Sequence, residues 1–254
     1  MGDVTLADAI VKKIPGFDVQ VAYEAILKDA YSVPPQNSSG VGRVCLQPYL
    51  DYGYIPRGSP QATGGVCSEV ISENLLYLQA DYAIAQAASV LGKTEDAQYL
   101  MSRAENYAVL FDSKTTGLFR ARNLVTKEFC EPFDQFAWGG DYTEAGPWQY
   151  RFHMPFDAKG LSALYSESGR DMCAELDRAQ TMSGVFHIGN YGSQIHEQTE
   201  LIENCWGQYS HNNQPVHHML YMFGAIDGNG FSGSCAAKGQ VEIVIIKFNF
   251  LLYL

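Results

Sequence analysis

EVISENLLYLQADYAIAQAASVLGKTEDAQYLMSRAENYAVLF, Glu69 to Phe111, is the stretch whose reading decides the fold. Leu75, Leu78, Tyr82 and Ala85 recur at i, i+3, i+7 and i+10, the stripe of a helix that buries one face, and Gly92 is placed to end it. A second helix is predicted from Thr94, as its N-cap, through Leu100, Ala104, Tyr107 and Phe111. So short a connection makes the two an antiparallel hairpin.

Working toward the N-terminus, Leu6 to Asp29 is mostly helical with a break at Pro15 and Gly16, and Ser32 to Gly65, rich in Pro, Gly and Ser, reads as loop. Within that loop QPYLDYGYIPRG carries aromatic residues without helical periodicity, which predicts an ordered loop packed over a core. Toward the C-terminus, Thr115 to Asp141, with Gly117, Gly139 and Gly140, reads as a second long loop. Helices return near Asp157 to Glu167 and Asp171 to Met182, around a turn at Ser168 and Gly169. Gly184 to Gln214 reads as a third loop, and Pro215 as the first residue of a helix bearing Met219, Met222, Phe223 and Ile226. Paired helices alternating with long aromatic and polar loops predict an all-α fold, a toroid whose loops collect on one face around a concave site.

The segment VEIVIIKFNFLLYL, Val241 to Leu254, breaks this rhythm with β-branched and aromatic residues that would form an exposed, sticky strand. It reads as foreign, the product of a frame or splice error near Gln240, so the expected division is a helical domain over 1–240 and an unrelated tail over 241–254.

A chain of 254 residues that is 46% hydrophobic buries a sizeable core as one large domain or two small ones. Seventeen basic residues against twenty-eight acidic ones give a formal charge of -11, with no run of Lys or Arg to neutralise phosphates, so neither nucleic acid nor an anionic membrane is an expected partner. No apolar run approaches the roughly 20 residues needed to span a bilayer. The N-terminal MGDVTLADAIVKKIPGFD lacks the basic start and apolar core of a secretory signal, so the chain taken alone is expected in the cytosol. Cys45, Cys67, Cys130, Cys173, Cys205 and Cys235 show no zinc spacing and are compatible either with disulfides or with free buried thiols.

Two stretches crowd carboxylate, amide, imidazole and aromatic groups together, which a helix built only to pack avoids: YTEAGPWQY, Tyr142 to Tyr150, and GQYSHNNQPVHH, Gly207 to His218. Glu144, at a loop-to-helix boundary near Trp148, suits a general acid whose pKa is raised by desolvation; it equally suits a carboxylate that favours a helix N-terminus. Asn212, Asn213 and Gln214 offer hard oxygen donors suited to calcium, or alternatively cap the following helix. His217 and His218 are adjacent, so only one of them faces a given pocket. Glu197, Glu200 and Glu203, at helical spacing beside His196, resemble a metal motif weakly and read as a solvated acidic face.

YTEAGPWQY resembles the YTEGNxWQY segment of glycoside hydrolase family 92, the calcium-dependent exo-acting α-mannosidases. ADAIVKKIPGFD, AYEAILKDA, GYIP, DYAIAQAASVLGK, RAENYAVLFD, TGLFRAR, FHIGNYGSQIHEQTE and QYSHNNQPVHHMLYMF resemble further family segments in order, over about Gly2 to Gln240. The resemblance implies a partial (α/α)6 toroid without the family's N-terminal β-sandwich, and removal of terminal α-linked mannose, with α-1,2 as the expected linkage, from glycans with inversion. Glu144 falls on the family's general acid. Trp148, Gln149, His211, His217 and His218 fall on substrate-binding positions, and Asn213 with Gln214 lies toward Ca2+. Ala145, Gly146 and Pro147 depart from the family's Gly-Asn-small run, as do Tyr77, Leu78 and Gln79 from a more acidic segment. The general base is expected beyond Gln240, so this chain alone is expected to be inactive. The resemblance further implies secretion or the secretory pathway. Two other readings remain open: a non-catalytic sugar-binding helical module, and a metal-independent (α/α)6 glycosidase.

Overall fold

The computed structural model describes residues 2–36, 42–226 and 234–237. Among them the regular structure is helical, with isolated β-bridges and no named strand, so the all-α expectation holds. The expected foreign tail lies outside the described residues. The chain divides into two compact units, Met1–Leu110 with Arg120–Pro132, and Phe111–Phe119 with Phe133–Leu254.

In the first unit, helices α1 (Gly2–Val11), α2 (Val19–Tyr31), α4 (Val70–Val90) and α5 (Thr94–Ala104) build one apolar cluster, to which α3 (Leu46–Tyr52) contributes no residue. Asp18 caps α2 by accepting from the amides of Gln20 and Val21, which is why the chain restarts a helix three residues after the Pro15, Gly16 break. Ala7, Ile10, Tyr23, Ile26, Ile84, Ala88 and Leu100 meet in the cluster, and truncating an isoleucine there to Ala costs about 2–5 kcal/mol. The α4–α5 hairpin matches the sequence reading, with Gly92 in the left-handed region at φ 72°. Its details differ: Lys93 occupies the cap without a side-chain bond, Thr94 is the first helical residue, and beyond Ala104 the chain tightens into a 3-10 turn, Glu105–Leu110.

Helix α3 corrects the expected loop over Ser32 to Gly65. Seven residues are too few to display a period, and Pro48 sits in the first turn, where its missing amide breaks no helical bond. Around α3 lies a buried charge network. Asp81, 0% exposed, accepts from Arg43 at 2.6 Å, from Arg103 at 2.5 and 2.6 Å and from Tyr49 at 2.7 Å, while Arg43 also reaches Asp3 at 3.0 Å. Cys45 and Cys67 form a disulfide.

The second unit holds α6 (Pro147–Tyr150), α7 (Ala158–Ser166), α8 (Met172–Thr181), α9 (His196–Glu203) and α10 (Met219–Ile226). Asp157 and Asp171 cap α7 and α8 through bonds from Gly160 and Cys173. Two expectations are corrected. The loop over Gly184 to Gln214 contains α9, and Pro215 belongs to a 3-10 turn, Gln214–Val216, so that α10 begins only at Met219. Arg151, fully buried, braces the unit: it donates to the Gly117 carbonyl at 3.0 Å and the Tyr165 hydroxyl at 2.8 Å, and pairs with Glu175 at 2.7 Å. Cys173 and Cys235 form the second disulfide; Cys130 is a buried thiol and Cys205 an exposed one.

Candidate active site

The two polar stretches meet inside the second unit. Asn213 Nδ2 donates to the carbonyl oxygen of Glu144 at 2.7 Å. Around this bond the loop is pinned at both ends, by Tyr142 donating to the Phe119 carbonyl at 2.5 Å and Tyr150 to the Thr143 carbonyl at 3.0 Å. Glu144 is held at φ 50°, a left-handed conformation that a non-glycine residue adopts at a cost of about 1–2 kcal/mol. Gly146 follows in the extended conformation that a residue preceding proline prefers, and Pro147 opens α6. Position 146 is crowded: a Cβ there would meet Trp138 Cδ1 at 3.0 Å and the Ala137 carbonyl at 3.1 Å, so a larger residue would need those neighbours to give by a few tenths of an ångström.

The Glu144 side chain is exposed, where the sequence reading has it half-dry beside an indole. Trp148, four residues on, is the buried partner of this stretch. Trp148 is 2% exposed, stacks parallel to Phe136 with ring centroids 6.3 Å apart, and lies under the Arg151 and Arg178 guanidinium groups. Gln149, 0% exposed, has both ends of its amide engaged. Its Oε1 accepts from the Gly146 amide, and its Nε2 donates to the backbone and side-chain oxygens of Gln208, all at 3.0 Å. Gln149 thus joins the two stretches and holds their shape.

Asn213 is buried, and its orientation follows from chemistry, since the atom facing the Glu144 carbonyl must be the donor nitrogen. Its Oδ1 is buried with no hydrogen-bond partner. Gln214 beside it is exposed. Asn212 is also exposed and bonds Ser210 and Glu200. Among the described residues no cluster of three or more His, Cys, Asp or Glu side chains forms a metal site. His196 pairs with Glu197 and Glu200 on α9, but the expected solvated face is only partly so: the Glu197 side chain is 14% exposed, and Glu200 also accepts from Asn212.

The imidazoles gather near the Gln214–Val216 turn. His218 Nε2 donates to the Phe152 carbonyl at 2.8 Å, and His217 Nε2 to the His211 carbonyl at 2.8 Å; His211 Nδ1 lies 2.6 Å from the Tyr209 hydroxyl. Backbone carbonyls only accept, so both bonds fix the tautomer. His217 is exposed and His218 half-buried, as adjacent residues facing different ways must be. The sequence reading misses His153, whose ring stands edge-on to His218 at 4.9 Å and whose Nε2 is buried without a partner. Desolvation pushes His153 down to about 4; desolvation, and secondarily His153, pushes His218 down to about 3.

A profile of the Glycosyl hydrolase family 92 catalytic domain matches residues 1–234. The chain belongs to glycoside hydrolase family 92. Among solved structures, this family 92 chain is similar to an inverting family 92 mannosidase from Bacteroides thetaiotaomicron VPI-5482, with 30% identity and a TM-score of 0.70 over 88% of this chain and 29% of that one. It is also similar to a family 92 α-mannosidase from Bacteroides thetaiotaomicron in complex with mannoimidazole, with 30% identity and a TM-score of 0.69 over 88% of this chain and 27% of that one. An uncharacterized secreted glycosidase of Arthroderma benhamiae (strain ATCC MYA-4681 / CBS 112371) is 28% identical over 211 residues, 74% of this chain and 27% of that protein. The chain thus spans between a quarter and three tenths of the length of these relatives.

Proposed function

We propose that this chain is part of an α-mannosidase catalytic domain, a portion of an (α/α)6 toroid, that removes terminal α-linked mannose, α-1,2-linked by preference, from glycans with inversion. The observation that carries this reading is the Asn213 to Glu144 bond, which unites the two segments most specific to the family. Glu144 is the general acid, delivering its proton to the glycosidic oxygen. Glu144 is exposed, so its carboxyl is open to an incoming glycoside, while Trp148 is buried. Trp148 and Gln149 support the acid loop from beneath, and the exposed His217, with His211 behind it, offers an imidazole to sugar hydroxyls, while His218, turned the other way, holds the Phe152 backbone.

The orphaned Asn213 Oδ1 fits calcium: it is a hard, neutral, buried oxygen without a competing donor, and Gln214 follows it. When bound, the ion supplies positive charge to two vicinal hydroxyls and favours a distorted ring on the way to an oxocarbenium-like transition state. Asn213 would meanwhile keep the Glu144 backbone fixed through its nitrogen.

Inversion needs a second carboxylate about 6.5–9.5 Å from the acid, with water between them. We assign that role to no carboxylate of this chain, so the purified polypeptide is expected to release no mannose from an α-1,2-linked disaccharide. The exposed Glu144 favours a second reading for the isolated chain, in which it binds sugar without cutting it. Calorimetry with mannose, with and without calcium, tests the common core of both: calcium-dependent binding supports it, and no binding in either condition sinks it. Secretion is the proposed location, supported by two disulfides, which persist in oxidising compartments, and by the secreted relative. Among the described residues no helix is long and apolar enough to cross a membrane.

A further inference from the structure

We propose that a hollow in the second unit, walled in part by the Phe136 and Arg178 side chains that pack on Trp148, binds an oxyanion: a phosphate or carboxylate group. The hollow measures about 480 Å3, within the usual range for ligand sites, and its lining includes Thr115, Asp134, Phe136, Arg170 and Arg178.

Two guanidinium groups with incomplete counter-ions carry the inference. Arg170 is fixed in place by neutral acceptors alone: Nη1 donates to the Ser113 carbonyl and to Ser168 Oγ, and Nη2 to the Thr115 carbonyl at 2.8 Å. Among the described residues it has no ion pair. Of five N–H donors, three are used, which leaves Nε and one Nη2 hydrogen for a ligand. Arg178, in the last turn of α8, is 59% exposed and lies over the Trp148 ring at 5.4 Å. Its nearest carboxylate, Glu175, stands at 3.6 Å because Arg151 holds that group at 2.7 Å. Two positive charges therefore face one cavity in a chain whose formal charge is -11.

Asp134 is the opposing charge on the wall, and it is engaged elsewhere. Its Oδ1 accepts from the Phe136 amide at 3.0 Å and its Oδ2 lies 2.6 Å from His187 Nδ1. Burial alone would raise its pKa, but the Phe136 amide and His187 hold the carboxyl below its usual range. Open donors thus dominate the hollow. A neutral sugar brings O–H donors that these guanidinium groups cannot accept, whereas an ionised carboxylate or phosphate presents charged acceptor oxygens that match a guanidinium fork in pairs.

Titration calorimetry on the 254-residue chain tests this with inorganic phosphate, galactose 6-phosphate and galactose. Both phosphorylated probes are expected to bind and galactose to give no heat, with Arg178→Gln weakening both probes about tenfold or more. Tighter binding of galactose 6-phosphate identifies an anion carried on a sugar; equal affinities identify the free anion. No binding of either phosphate, or affinities unchanged in the exposed Arg178→Gln variant, overturns the proposal. Arg170→Gln should abolish binding, with circular dichroism to check that the Ser113 turn it braces stays folded. Phosphate binding should persist in Glu144→Gln, so the outcome stands apart from the fate of the mannosidase reading.

Discussion

Asn213 Nδ2 reaches the carbonyl oxygen of Glu144 at 2.7 Å, so a side chain 69 residues downstream fixes the backbone that bears the proposed acid. Asn213→Asp sets a carboxylate oxygen against that carbonyl, two acceptors with no proton between them. The expected loss of stability is about 1–3 kcal/mol by urea denaturation. Equal midpoints for variant and wild type would show that the bond is not made in solution.

Glu144 holds a conformation that glycine adopts freely. Glu144→Gly is therefore expected to stabilise the chain by about 0.5–1 kcal/mol, read as a rise in Tm, while deleting the proposed proton donor. Gain of stability with loss of function is the pattern of strain kept at a working site. A lowered Tm would mean that the side chain's own contacts outweigh the backbone strain.

His153 and His218 have folded-state pKa values depressed to about 4 and about 3, against about 6.5 for a free imidazole. The unfolded chain takes up protons first as pH falls, so their contribution is complete above about pH 7. It declines as acid is added, down to the folded values. At pH 5 the expected cost is about 2 kcal/mol per imidazole. Urea midpoints at pH 7, 6 and 5 measure the slope, and His153→Phe should flatten it; an unaltered slope in that variant assigns the acid sensitivity to other groups.

Asp81 sits between Arg43 and Arg103 without solvent, so Asp81→Asn leaves two buried guanidinium groups short of a counter-charge. The expected penalty is about 3–5 kcal/mol, comparable to removing a core isoleucine. A loss under 1 kcal/mol by thermal or urea unfolding would mean that water reaches the pair.

Local signals made much of the fold legible. Leu75, Leu78, Tyr82 and Ala85 with Gly92 define the α4–α5 hairpin, and Asp157 and Asp171 announce α7 and α8 because caps act within a turn of themselves. Helix α3 stays hidden because seven residues complete barely two turns. The site divides the same way. YTEAGPWQY and the Asn213 segment stand out by composition, but the engagement of Gln149 with Gln208 spans 59 residues and leaves no local trace. Glu144's left-handed φ and its exposure are not encoded by any residue pattern near it. His153 carries no signal beyond its identity, since its environment is supplied by Pro215 and His218 from another part of the chain.

The Cys173–Cys235 bridge closes a span of 62 residues that contains α9, the Asn213 segment and α10. A protease that nicks the chain anywhere inside this ring yields two fragments that still migrate as one species, until a reductant is added. Such a cut leaves the imidazoles and the amide that steadies Glu144 shackled to the body of the unit, so clipping need not scatter the site.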